Sequence, residues 1–130
     1  MRNEVDRSEL LQILVVDDDE QIRAIAVRQL TSLGYRVIAA SSGAEALELL
    51  QHVGDVDLLF VDMMMPNMGG RDLAEKARRL RPGLKVLFAS GYFEGALVER
   101  GEIGETGEFL VKPYRKKDLA EKIRQVLKGS

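Results

Sequence analysis

The sequence contains no cysteine and a single histidine, His52. The first absence excludes a disulfide framework and a zinc site of cysteine type, and the second excludes a cluster of histidine ligands. No apolar run approaches the roughly 20 residues needed to cross a bilayer. The opening stretch, MRNEVDRSEL, is charged and lacks the apolar core of a signal peptide. A cytoplasmic protein with no membrane contact is the resulting expectation. Charge of one sign is also scarce: 19 basic and 21 acidic residues leave a net charge of −2, which gives no electrostatic case for direct nucleic-acid binding. Internal repeats, linkers and low-complexity segments are missing too. What is present, 45% hydrophobic and 31% charged residues over 130 positions, is the composition of one globular domain with one ordinary core.

Within that domain, short apolar runs alternate with helical patterns. Residues 1–9 read as a flexible polar arm, residues 10–128 as the domain, and Gly129-Ser130 as a short tail. Ile13 to Val16 is β-branched and unbroken, as suits a strand buried on both faces. Ile22, Ile25, Ala26, Leu30 and Leu33 follow at helical spacing, and Gly34 is placed to end that helix in a left-handed turn. Tyr35 to Ala40 reads as a second strand. Ser42-Gly43-Ala44-Glu45 fits a capping box, followed by an apolar stripe of Ala46, Leu47, Leu50 and Val53. Asp57 to Val61 is a third strand ending at Asp62. Leu73, Ala77 and Leu80 mark a third helix, stopped by Pro82-Gly83. Leu84 to Ala89 and Glu108 to Val111 are a fourth and fifth strand, ending at Ser90 and Lys112. Leu119, Ile123, Val126 and Leu127 give the last helix its apolar face. Between these lies a weak helix, expected around Glu94 to Arg100, in a stretch carrying Gly95, Gly101, Gly104 and Gly107. Five strands alternating with helices predict an α/β fold, a doubly wound parallel sheet with helices on both faces.

In such sheets ligands bind at the carboxyl ends of the strands. Those ends present Asp17 and Asp18, then Asp62, Ser90 and Lys112. Taken singly, each has an ordinary explanation. The acids form a helix cap, the serine a turn and the lysine a solvated surface group. Their joint placement at successive strand ends overturns those explanations. Carboxylates held together repel, and a divalent cation relieves the repulsion. Hard oxygen donors suit Mg2+ or Mn2+. Lys112 and the Ser90 hydroxyl are then donors toward a phosphoryl group, with Asp62 as carboxylate nucleophile. Asp19 is read as the helix cap alone. The methionines Met63, Met64, Met65 and Met68 are read as filler, His52 as an exposed helix-end residue, and Arg71, Lys76, Arg78, Arg79 and Arg81 as a solvated helix face.

The segments Val15–Asp19 (VVDDD), Leu58–Gly70 (LLFVDMMMPNMGG), Val86–Gly91 (VLFASG) and Phe109–Tyr114 (FLVKPY) together resemble the response regulator receiver domains of two-component signalling, over about residues 11 to 128. The pattern LFASGY…GEFLVKPY resembles receivers attached to hybrid sensor histidine kinases. No output domain is read after Lys128, so a stand-alone regulator and a piece of such a kinase both stay open. The resemblance implies a flavodoxin-like sheet with strand order 2-1-3-4-5. It implies phosphorylation of Asp62 by a phosphohistidine on a sensor kinase or phosphotransfer protein. Mg2+ is expected on Asp18 directly, Asp17 through water, Asp62 and the Met64 carbonyl. Ser90 is expected to bond a phosphoryl oxygen and move inward on activation, Lys112 to pair with Asp62, and the Lys112–Pro113 bond to be cis. The module is a switch, not a classical enzyme, although it catalyses its own phosphorylation and dephosphorylation. Its switching surface is expected around the fourth predicted helix and fifth strand, and a phosphorylation-dependent dimer is a further expectation.

Three departures from the family pattern carry their own expectations. Met64, two residues after Asp62, and Tyr92, two after Ser90, flank the path of an attacking water, and a thioether cannot orient water as an amide can. Slow self-dephosphorylation is expected. Phe109 lacks a hydroxyl, so an aromatic switch there works by packing alone. The glycine-rich stretch from Gly95 to Gly107 is expected to be mobile until phosphorylation or a partner orders it. Two other functions compete. In a haloacid-dehalogenase-type phosphatase Asp17 would be the nucleophile and Asp19 the acid, but Glu20-Gln21 departs from that motif. A flavodoxin-like cofactor binder needs a phosphate loop after the first strand, where this chain has acids.

Overall fold

The computed structural model describes residues 11–91 and 108–128. The arm at 1–9, the tail, Tyr92, the helix expected at 94–100 and the glycine-rich stretch lie outside the described residues. Among the described residues nine elements follow in order: β1 (Gln12–Val16), α1 (Glu20–Ser32), β2 (Arg36–Ala40), α2 (Gly43–His52), β3 (Leu58–Asp62), α3 (Gly70–Leu80), β4 (Lys85–Ser90), β5 (Glu108–Val111) and α4 (Lys116–Lys128). Each strand matches its predicted run to within a residue at either end.

All five strands are parallel and lie in the order β2-β1-β3-β4-β5. Successive side chains of a strand point to opposite faces, so each buried strand feeds two cores. Leu14, Val16, Leu59, Val61, Val86 and Phe88 face α2 and α3, where Ala46, Leu50, Leu73 and Ala77 meet them. Ile13, Val15, Leu58, Phe60, Leu87 and Leu110 face α1 and α4, against Ala26, Leu30, Leu119 and Ile123. β3 is buried along its whole length, as a central strand covered on both sides must be.

Local chemistry sets the helix ends. Asp19 caps α1 by accepting from the Gln21 and Ile22 amides, and Gly34 turns the chain out of it at φ 102°. The predicted capping box of α2 is displaced by one residue. Ser42 Oγ accepts from the Glu45 amide as expected, but the Glu45 carboxylate reaches the amide and hydroxyl of Ser41, at 2.7 and 2.9 Å, not the amide of Ser42. Two apolar stripes are narrower than predicted. Ile22 and Ile25 of α1 and Leu80 of α3 are exposed, whereas Ala26 and Leu30 of α1 and Leu73, Ala74 and Ala77 of α3 are buried, so the covered face of each helix is a narrow one. Arg81 departs from its solvated-face reading. Its guanidinium donates to the carbonyls of Leu50, Val53 and Gly54, closing the C-terminal end of α2. Met63 is buried and Met65 and Met68 pack on the core, but Met64 is 63% exposed and fills nothing.

Candidate functional site

Sheet register brings the predicted residues to one edge. Val16 of β1 pairs with Val61 of β3, so the next residues, Asp17 and Asp62, leave adjacent strands about 4.8 Å apart. On the other side Asp62 pairs with Ala89, Ser90 pairs with Val111, and the Lys112 amide donates to the Ser90 carbonyl at 2.7 Å. Three connections made far apart in sequence therefore end at one place.

Carboxylate oxygens from Asp17, Asp18 and Asp62 lie within 4.8 Å of one another. Asp17 and Asp62 are buried and Asp18 is exposed. Lys112 Nζ stands 2.9 Å from Asp62 Oδ1. Ser90 is 0% exposed and its hydroxyl oxygen has no hydrogen-bond partner among the described residues. An unpaired buried hydroxyl is costly, and such groups mark places where a further ligand completes the bonding. Met64 sits in the loop after β3, where only its backbone carbonyl offers a ligand. Phe109 stacks on Phe88, with ring centroids 5.1 Å apart and planes at 23°.

The electrostatics agree with crowding. Burial first, and then the charges of Asp62 and Asp18, push the Asp17 carboxyl above its ordinary value, while the Asp19 amide and Lys112 pull it down. Tyr114, which packs edge-on against Phe60, has its hydroxyl pushed up to about 12 by burial and by the charges of Asp17 and Asp62. Hard oxygen donors grouped this closely, two of them buried, are the donor set a small divalent cation takes. The residues present fit such an ion.

The loop between β1 and α1 is tied down at several points. Asp17 donates its amide to the Ala40 carbonyl at 3.3 Å, and its Oδ1 accepts from the Asp19 amide at 2.9 Å. Arg23 Nη1 donates to the Asp17 carbonyl at 2.8 Å. The sequence reading missed Arg23; its only signal was a cation in the first turn of a helix, where the macrodipole disfavours one. Asp19 Oδ1 accepts from two helix amides, the capping role expected of it.

Comparison with known proteins agrees with this geometry. The family model described as response regulator receiver domain matches residues 13–124. The chain belongs to that family. Among curated relatives, sensor kinase CckA of Brucella abortus is 38% identical over 116 residues, which are 88% of this chain and 12% of the kinase. The response regulator receiver protein CpdR of the same organism is 34% identical, over 89% of this chain and 96% of that protein. The crystal structure of the receiver domain from hybrid histidine kinase CckA superposes with a TM-score of 0.73 at 35% identity, covering 89% of this chain and 98% of that one. The receiver is thus a signalling module of two-component systems, with the expected strand order and the cis Lys112–Pro113 bond. No helix among the described residues is long and apolar enough to cross a membrane.

Proposed function

We propose that this receiver, taken as residues 10–128, is the phosphoacceptor of a phosphorelay and that Asp62 carries the phosphoryl group. The observation that carries the reading is the convergence of Asp17, Asp18 and Asp62 beside Lys112. An Asp62 carboxylate oxygen attacks the phosphorus of a donor phosphohistidine, the N–P bond breaks, and the imidazole leaves as an acyl phosphate forms. Asp17, Asp18, Asp62 and the Met64 carbonyl would hold Mg2+, or Mn2+. When bound, that ion supplies charge neutralisation for the carboxylates and the phosphoryl oxygens. Lys112, already paired with Asp62, shifts its charge onto the incoming phosphoryl group. The buried Ser90 hydroxyl, which has no partner among the described residues, donates to a phosphoryl oxygen. Phe109, packed on Phe88, can answer that change only by repacking, which would carry the signal toward β5 and the surface beside it.

The donor in this reading is a sensor histidine kinase or a phosphotransfer protein, and the domain works in the cytoplasm, where ATP-derived phosphohistidine is made. Attachment to a hybrid sensor kinase is supported by the identity to CckA in both sequence and structure comparisons. The same active centre would also hydrolyse its own acyl phosphate.

Incubation with Mg2+ and acetyl phosphate tests the proposal. Peptide mapping is expected to place one phosphoryl group on Asp62, and Asp62→Asn is expected to take none. Label on Asp17 with multiple turnover would overturn the reading in favour of a phosphatase.

A further inference from the structure

We infer that Arg23 is a positioning residue for Asp18, orienting through the Asp17 carbonyl the one exposed carboxylate of the acidic cluster. This rests on the metal-binding reading above. The Asp17 carbonyl and the Asp18 amide belong to a single planar peptide unit. Fixing the oxygen of that unit fixes the direction in which the Asp18 Cα leaves it. Arg23 Nη1 holds that oxygen at 2.8 Å.

The neighbouring units of the loop are secured by other means. The Asp17 amide is bound to Ala40, the Asp19 amide to Asp17 Oδ1, and the Asp19 carboxylate to Gln21 and Ile22. Arg23 therefore supplies the remaining tie between the two metal-facing acids. Its own backbone is secured as well, since its amide makes the first helical bond to the Asp19 carbonyl at 2.9 Å. The half-buried guanidinium is drawn back toward the helix start, although the positive end of the macrodipole repels it. Arg23 also acts weakly on Glu45, whose carboxyl is held below its usual range mainly by Ser41 and to a lesser degree by Arg23.

Charge and positioning make opposite predictions here. Arg23 is a cation beside a cation site. If it acted through space alone, its removal would tighten divalent binding. If it acts by holding the peptide unit, its removal loosens Asp18 and weakens binding, as loss of groups that orient metal ligands commonly does.

The experiment is a calorimetric Mg2+ titration of the full chain as wild type, Arg23→Met, Arg23→Lys, Asp18→Asn and the Arg23→Met/Asp18→Asn double variant. The Tm of each in EDTA reports the fold. Arg23→Met is expected to weaken Mg2+ binding about tenfold, and Arg23→Lys, which keeps the charge but loses the planar reach, about threefold. In the Asp18→Asn background the Arg23→Met change is expected to have almost no further effect. Unchanged or tighter binding by a folded Arg23 variant overturns the inference, as does an undiminished loss in the Asp18→Asn background. Should Arg23→Met not fold, Arg23→Lys decides on the same criterion. A wild type that binds no Mg2+ at all overturns the metal-binding reading itself.

Discussion

At the scale of single residues, the site stores an electrostatic conflict. The Asp17 carboxyl is raised mainly by burial and further by its acidic neighbours, so ionising it costs more in the metal-free fold than in the unfolded chain. For a raised group, the stabilising contribution is complete below the unfolded value of 3.8 and is lost as the pH rises through the higher folded value. Asp17→Asn keeps the acceptor for the Asp19 amide and removes the charge. Its Tm in EDTA is expected to exceed that of wild type at pH 7, with the gap closing toward pH 3; an equal or lower Tm at pH 7 would count against crowding. Asp62 is a poorer probe, because its removal also strands Lys112. Met64 makes the second residue-scale prediction. Its exposed thioether cannot orient water, so Met64→Asn is expected to speed loss of the phosphoryl group about tenfold. Phosphate release from the two acyl phosphates compares them directly, and equal rates would refute the idea.

At the scale of elements, two contacts between neighbouring segments hold the frame of the site. Arg81, just past α3, supplies charged donors to three carbonyls at the end of α2. Hydrogen bonds from charged groups contribute more than neutral ones, so Arg81→Ala is expected to cost about 2 kcal/mol in urea unfolding. A loss within experimental error would show those carbonyls to be equally well served by water. Gly70, the first residue of α3, lies against the end of β3. A Cβ there would sit 2.5 Å from the Asp62 carbonyl oxygen and 3.0 Å from the Met63 Cα, both backbone atoms that cannot swing aside. Gly70→Ala is expected to cost about 2 kcal/mol and to slow phosphorylation of Asp62 as β3 shifts. Gly43 is the contrast. Its added Cβ meets only the Met68 side chain, the sulfur at 2.6 Å and Cβ and Cγ at 3.2 Å, so Gly43→Ala should be milder, because that side chain can turn where a backbone cannot.

At the scale of the molecule, metal binding and folding are linked. A cation that binds only the native cluster stabilises it by mass action. At a concentration ten times its Kd the gain is about 1.4 kcal/mol, or roughly 5 °C in Tm for a domain of this size. Differential scanning calorimetry with Mg2+ and with EDTA measures it. No difference between the two, with the fold intact, would remove the metal from the reading. The shift is expected to shrink in Asp18→Asn, which deletes a ligand without touching either apolar core.

The sequence by itself determined the alternation of strands and helices, the cap at Asp19, the turn at Gly34 and the polar residues that end β1, β3, β4 and β5. These follow from side-chain periodicity and local backbone sterics, which act over a few residues and are written into neighbouring positions. It also carried a family resemblance, and the strand order came from there, because periodicity does not say which strand lies beside which. Only the tertiary structure decided how closely the carboxylates of Asp17, Asp18 and Asp62 approach, that the Ser90 hydroxyl is buried with no partner among the described residues, that Ile22 and Ile25 face outward, and that Arg23 and Arg81 reach backbone carbonyls six to 31 residues away. Those facts depend on pairings between distant segments and on how far a long side chain extends from a packed helix, and neither quantity is encoded by the residues next to it.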